Sequence, residues 1–135
     1  MKTLLCVEDN QDDRLLLGYA LKLAGIVCDL EFVRTAAEAQ VYLANHSDRK
    51  HLPWPALVLT DLGLPGGSGL ELLAWIRSQP SLADLPLMAM SGSENPALQR
   101  QALELGATDC ALKTPGFEDV VKRVKLLLGA ENEKA

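Results

Sequence analysis

The 135 residues, 48% of them hydrophobic and 23% charged, suit one domain with a substantial core. A net charge of −5 argues against non-specific binding to nucleic acid. No apolar run could span a bilayer, and "MKTLLCVEDN" turns acidic too soon for a secretory signal, so the expected setting is the cytoplasm with no membrane partner.

Strand-like and helix-like runs alternate along the chain. "TLLCV" (3–7) reads as a first strand that ends at Glu8-Asp9. Asn10 is a plausible N-cap for a helix from about Asn10 to Ala24, with Gly25 as its stop. Leu17, Ala20, Leu21 and Ala24 share one face of that helix. "VCDLEFV" (27–33) is a second strand, followed by Arg34 and by a helix that Thr35 caps, with Ala39, Tyr42 and Leu43 inward. A polar loop, "SDRKHLPWP", leads to the third strand, "ALVLT" (56–60), and so to Asp61. Ser68 is expected to open the third helix. "LPLMAM" (85–90) is the fourth strand and delivers Ser91. Pro96 sits in the first turn of a fourth helix that Gly106 stops. "TDCAL" (108–112) is the fifth strand and delivers Lys113. The last helix, "FEDVVKRVKLLLG", carries the apolar stripe Val120, Val121, Val124, Leu127 and Leu128. Five β-α units with near-continuous apolar strands imply an α/β fold: a parallel sheet with helices on both faces, doubly wound.

Ligands of such sheets bind beyond the carboxyl ends of the strands. Taken singly, the residues there are unremarkable: Asp61 could form a turn, Glu8-Asp9 could complement a helix dipole, Ser91 could be a turn hydroxyl and Lys113 a solvated loop lysine. Together they converge if the sheet forms. Three carboxylates at about 5 Å and an effective dielectric of about 20 repel by roughly 3 kcal/mol per pair. A divalent cation removes that cost, and an all-oxygen set without His or Cys selects a hard ion such as Mg²⁺, with Mn²⁺ able to substitute. Metal, ammonium and hydroxyl together form a cradle for phosphoryl oxygens, with Asp61 as nucleophile.

The motifs "VEDN" (7–10), "LVLTDLGLPGGSGLELL" (57–73), "MSG" (90–92) and "LK" (112–113) resemble those of response-regulator receiver domains of two-component signalling, across essentially the whole chain. The resemblance implies a flavodoxin-like five-stranded parallel sheet in the order 2-1-3-4-5, with residues 1–130 as the receiver and 131–135 as a frayed tail. It implies that Asp61 is the phosphoacceptor, Asp9 a direct metal ligand, Glu8 an acid that holds the metal through water, and Gly63 the donor of a backbone carbonyl to it. Ser91 matches the hydroxyl that meets the phosphoryl group, and Lys113 the ammonium that pairs with it. The protein would be a stand-alone regulator that catalyses only its own phosphorylation and dephosphorylation. Its phosphodonor would be a phosphohistidine of a sensor histidine kinase, the phytochrome type included, or of a phosphotransfer protein. It would signal by conformational change to a separate partner, as a monomer or homodimer, from a surface near helix four, strand five and helix five.

Two positions depart from the family pattern. Cys110 stands where an aromatic residue usually precedes the lysine, so activation is expected to run without an aromatic switch. Lys113-Thr114-Pro115 replaces Lys-Pro, and a cis bond before Thr114 would cost about 2.5–4 kcal/mol, so a trans bond is expected there. Gly63 and Ser93, two residues past Asp61 and Ser91, are too small to block water from the phosphate.

Rival chemistries fit less well. A dinucleotide fold needs a glycine-rich turn where this chain has "EDNQDD". A haloacid-dehalogenase-like phosphatase needs a second Asp two residues after the nucleophile, where Gly63 stands. A pseudo-receiver would lack part of the intact acid, hydroxyl and lysine set. Cys6, Cys28 and Cys110 lack metal spacing and read as small hydrophobes. Trp54, Trp75, Met88 and Met90 read as packing residues, His46 and His51 as loop residues, and Lys122, Arg123 and Lys125 as the exposed side of the last helix.

Overall fold

The structure, a computed structural model, describes residues 2–45, 55–63 and 69–132. Ser68, His46, His51 and Trp54 lie outside the described residues. Within them the chain runs β1 (Thr3–Val7), α1 (Gln11–Leu23), β2 (Asp29–Val33), α2 (Ala36–Asn45), β3 (Pro55–Asp61), α3 (Gly69–Ser78), β4 (Leu87–Ser91), α4 (Pro96–Glu104), β5 (Asp109–Leu112) and α5 (Glu118–Asn132). The strands form a parallel sheet in the order β2-β1-β3-β4-β5, as expected.

Capping chemistry sets several boundaries. The Asn10 side chain accepts from the amide of Asp13 at 3.0 Å and opens α1. Thr35 Oγ1 accepts from the amide of Glu38 at 3.1 Å and opens α2. Asn95 caps α4 in the same way, with Pro96 in its first turn. Gly25 follows α1 at φ 76°, a left-handed conformation in which a side chain is strained. The last helix runs through Gly129 to Asn132.

Two apolar layers flank the sheet. On one side, Leu5, Val7, Val58, Leu87 and Ala89 pack with Ala39 and Leu43 of α2, Leu72, Leu73 and Ile76 of α3, and Ala102 of α4. On the other, Leu4, Cys6, Leu57, Leu59, Met88 and Met90 pack with Leu17 and Leu21 of α1 and Val120, Val124 and Leu128 of α5. Alternate residues of β1, β3 and β4 thus feed opposite cores, which is why those strands read as continuous apolar runs. Met88 and Met90 are core, and Trp75 packs half-buried against the first layer.

Several details differ from the sequence reading, among them the fourth strand, which spans Leu87–Ser91 rather than 85–90, and the fifth, which begins at Asp109 rather than 108. The second strand begins at Asp29 rather than 27, because Val27 is 74% exposed and the strand is an edge with only partial burial. The third strand extends through Asp61, and the amide of Leu62 still donates to the carbonyl of Met90 at 2.9 Å. Arg123 is not a solvated decoration: it pairs with Asp109 at 2.7 Å and Asp119 at 3.0 Å, whereas Lys122 and Lys125 are exposed.

Candidate functional site

Strand register gathers the site. Val7 of β1 is paired with Thr60 of β3, so the next residues, Glu8 and Asp61, emerge side by side at the carboxyl edge. Asp61 is in turn opposite Met90, and Ser91 opposite Leu112, which places Ser91 and Lys113 at the same rim. The amide of Lys113 donates to the carbonyl of Ser91 at 2.8 Å. Asp9, one residue past Glu8, is exposed at the mouth. Arg14 reaches back from α1, and its Nη1 donates to the carbonyls of Glu8 at 2.9 Å and Asp9 at 3.1 Å, fixing the turn that carries both acids.

Glu8, Asp9 and Asp61 each offer a carboxylate oxygen, and these oxygens lie within 4.8 Å of one another. Glu8 is 1% exposed and Asp61 8%. Burial of charged acids at this spacing is stable only with compensation. Lys113 supplies part of it: its Nζ lies 2.6 Å from Glu8 Oε1, 2.7 Å from Asp13 Oδ2 and 3.1 Å from Asp61 Oδ2. Glu8 Oε1 is thus held by the ammonium alone, with no other polar partner among the described residues. Burial, reinforced by the charge of Asp61, raises the Glu8 carboxyl above its ordinary range, although Lys113 and the amide of Asn10 oppose the shift. Burial would lower the Lys113 ammonium, but Asp13, Glu8 and Asp61 outweigh it and hold the lysine charged well above its ordinary range.

Three carboxylates gathered this closely, two of them buried and with one lysine to share, and with no His or Cys in the set, fit a hard divalent cation. Mg²⁺ is the metal that receiver domains use. Asp61 is also fixed from its own loop, since the amide of Gly63 donates to Oδ1 at 3.0 Å. A Cβ at position 63 would sit 3.7 Å from the same oxygen, so the glycine leaves that side of Asp61 open. At position 69 a Cβ would collide with the backbone carbonyl of Asp61, so only glycine lets α3 start this close to the strand end.

The Ser91 hydroxyl donates to the carbonyl of Ser93 at 2.6 Å, within its own loop. Thr114 Oγ1 donates to the carbonyl of Gly92 at 3.3 Å, tying the segment after β5 to the segment after β4. The peptide bond before Thr114 is trans, as its energetics require, and the cis bond lies before Pro115 instead. Cys110 is half-buried against the α2/α3/α4 layer, and all three cysteines are free. Burial raises the thiols of Cys6, Cys28 and Cys110, which suits hydrophobic filler rather than a redox or metal role. The backbone amide of Arg34 donates to Glu38 Oε1 at 3.2 Å.

The structure therefore brings together Glu8, Asp9, Asp61, Ser91 and Lys113. It adds one residue that sequence reasoning left out: Asp13, on the first turn of α1, against the lysine. The sequence signal was the acidic "QDD" turn, but its partner lies on a different element at the far end of the chain.

A parallel 2-1-3-4-5 sheet with this acid, hydroxyl and lysine rim has the architecture of a receiver domain. The profile of the response regulator receiver domain family matches residues 4–125, and the chain belongs to that family, the receiver domains of two-component signalling. It is 31% identical over 124 residues to response regulator Rcp1 of Synechocystis sp., covering 92% of this chain and 84% of Rcp1. It is 33% identical over 127 residues to the phosphate regulon transcriptional regulatory protein PhoB of Pseudomonas aeruginosa, covering 94% of this chain but only 52% of PhoB. Among solved structures, the Mn²⁺-bound form of Rcp1 superposes with a TM-score of 0.77 at 30% identity, covering 94% of this chain and 91% of that one. Response regulator RPA3017 in red light signalling of R. palustris gives 0.82 at 28% identity, covering 94% and 91%. Among the described residues no helix is long and apolar enough to cross a membrane.

Proposed function

We propose that this receiver accepts a phosphoryl group on Asp61 in a Mg²⁺-dependent reaction and signals through the resulting change in conformation. The observation that carries the reading is the convergence, at one rim of the sheet, of three carboxylates, a lysine ammonium and a serine hydroxyl. Glu8, Asp9 and Asp61 would hold the metal, with the backbone carbonyl of Gly63 as a further ligand. Bound there, the ion would neutralise the acids and the charge that develops on the phosphoryl oxygens.

The chain's own residues divide the remaining work. An oxygen of Asp61 attacks the phosphorus of a phosphohistidine. The phosphorus–nitrogen bond breaks, the imidazole nitrogen leaves with the bonding electrons and takes up a proton, and an aspartyl acyl phosphate remains. Lys113 pairs with a phosphoryl oxygen of the product. The Ser91 hydroxyl leaves the carbonyl of Ser93 to donate to another, drawing the loop after β4 inward. The phosphate biases a rearrangement already open to the fold and does not create it.

The donor would be a sensor histidine kinase or a phosphotransfer protein in the cytoplasm. The likeness to red-light regulators supports a phytochrome-type kinase. Residues 1–130 would form the receiver unit, and the change would be read by a separate partner at the α4, β5 and α5 surface. The domain would catalyse only its own phosphorylation and dephosphorylation. The test is phosphoprotein analysis with acetyl phosphate, with and without Mg²⁺, on wild type and Asp61→Asn. Label on wild type with Mg²⁺ alone is the expected result. Label on Asp61→Asn, or label indifferent to chelation of the metal, would contradict the reading.

A further inference from the structure

The Lys113 ammonium has three N–H donors, and in this structure three carboxylates occupy its surroundings: Glu8 at 2.6 Å, Asp13 at 2.7 Å and Asp61 at 3.1 Å. Two of those acids belong to the set that could hold a metal; Asp13 does not. The side chain of Asp13 is 29% exposed, while Glu8 and Asp61 are buried. Its backbone is also held, because its amide donates to the N-cap Asn10 in the first turn of α1. The next residue, Arg14, clamps the carbonyls of Glu8 and Asp9. Asp13 therefore sits on a rigid turn and faces Lys113 from outside the acid cluster.

We propose that Asp13 is a positioning residue for phosphoryl transfer: it anchors the Lys113 ammonium at the rim when Glu8 and Asp61 are engaged elsewhere. This inference rests on the phosphoacceptor reading above. Chemistry at Asp61 requires the lysine to turn from a carboxylate oxygen to a phosphoryl oxygen. Once Glu8 and Asp61 serve the metal and the incoming group, two of the three N–H donors are free for phosphoryl oxygens. The third stays on Asp13, which aims the other two. Without that anchor the flexible four-carbon stem would sample many rotamers, and the ammonium would be placed for transfer only part of the time.

The experiment is a double-mutant cycle with acetyl phosphate and saturating Mg²⁺, comparing wild type, Asp13→Ala, Lys113→Met and the double variant. Asp13→Ala is expected to slow phosphorylation of Asp61 about tenfold, equivalent to about 1.4 kcal/mol of transition-state stabilisation. In the Lys113→Met background the same change should alter the rate by less than about twofold. Asp13→Asn, which keeps the shape without the charge, should fall between wild type and Asp13→Ala. A second readout is Mg²⁺ affinity by calorimetry, expected to stay within about threefold of wild type in Asp13→Ala. A rate within twofold of wild type in Asp13→Ala, an equal loss in both backgrounds, or a tenfold loss of Mg²⁺ affinity would each overturn the proposal. If wild type itself takes no phosphoryl group, the parent reading falls with it; if wild type is labelled and Asp13→Ala is labelled equally fast, only the Asp13 assignment falls.

Discussion

Replacing Lys113 by Met keeps most of the apolar stem and deletes the cation that three carboxylates share. Removing one partner of a buried ion pair costs about 3–5 kcal/mol, because the remaining charge stays desolvated. Glu8, at 1% exposure, is the acid that suffers most, while Asp13 can turn to solvent. Deleting the lysine also recovers its own desolvation cost, so the lower end of the range, about 3 kcal/mol, is the expected loss without metal. For a domain of this size that is a fall of roughly 10 °C in melting temperature. Mg²⁺ supplies the missing positive charge, so about 10 mM of the ion should narrow the gap to about 1–2 kcal/mol, beyond the stabilisation it gives any binder. The pH dependence has a defined sign. The folded-state pKa of Lys113 is raised, so its contribution is fully present below the unfolded lysine value near 10.4 and is lost only at higher pH. The difference between wild type and variant should therefore be flat from pH 7 to 9. Glu8, raised by burial and by Asp61, binds its proton more readily in the folded state, so acidification stabilises its site relative to the unfolded chain. The gap should narrow as pH falls from about 7 toward 5. Urea denaturation with and without Mg²⁺ measures all of this. A loss under about 1 kcal/mol without metal, or a gap that Mg²⁺ leaves unchanged, would refute the account of the lysine as counter-ion.

Three further changes probe neighbouring links. Asp61→Asn removes one of the three clustered carboxylates and is expected to weaken Mg²⁺ binding at least tenfold by calorimetry, about 1.4 kcal/mol. Gly69→Ala drives a Cβ into the carbonyl of Asp61 and is expected to destabilise the fold by about 1–3 kcal/mol in urea while lowering the phosphorylation rate, because the strand end that aims Asp61 must shift. Cys110→Tyr alters a half-buried position outside the acid rim and should leave the acetyl phosphate rate within about threefold; a large loss would make this position part of the chemistry.

The alternation of apolar strands with amphipathic helices was legible because β1, β3 and β4 are buried on both faces, and that requirement writes itself into every residue of the strand. The edge strand was less legible. Val27 looks like strand but is exposed, and β2 starts only where the backbone of Asp29 can donate to the carbonyl of Lys2 at 2.8 Å. The acids, Ser91 and Lys113 could be found from the sequence because each lies at or just past the end of a strand, and register then brings them together. Asp13 and Arg123 could not. An acid in the first turn of a helix and a base in the last helix have sufficient local reasons to exist, in the helix dipole and in solvation. Their partners on other elements, Lys113 for one and Asp109 for the other, are fixed by how α1 and α5 pack against the sheet, whereas Asp119 lies on α5 itself, four residues before Arg123. Thr114 is similar: its tie to Gly92 depends on two loops meeting at the rim.

The central claim is that the clustered oxygens make Asp61 able to accept phosphorus. The most direct measurement is borohydride trapping after reaction with acetyl phosphate, followed by peptide mass spectrometry, since reduction of an aspartyl phosphate leaves homoserine at the modified position. The account predicts homoserine at position 61 when donor and Mg²⁺ are both present, and unmodified aspartate when either is withheld. Modification at Asp9, Asp13 or Glu8 in place of Asp61, or an unmodified protein under the complete conditions, would contradict it.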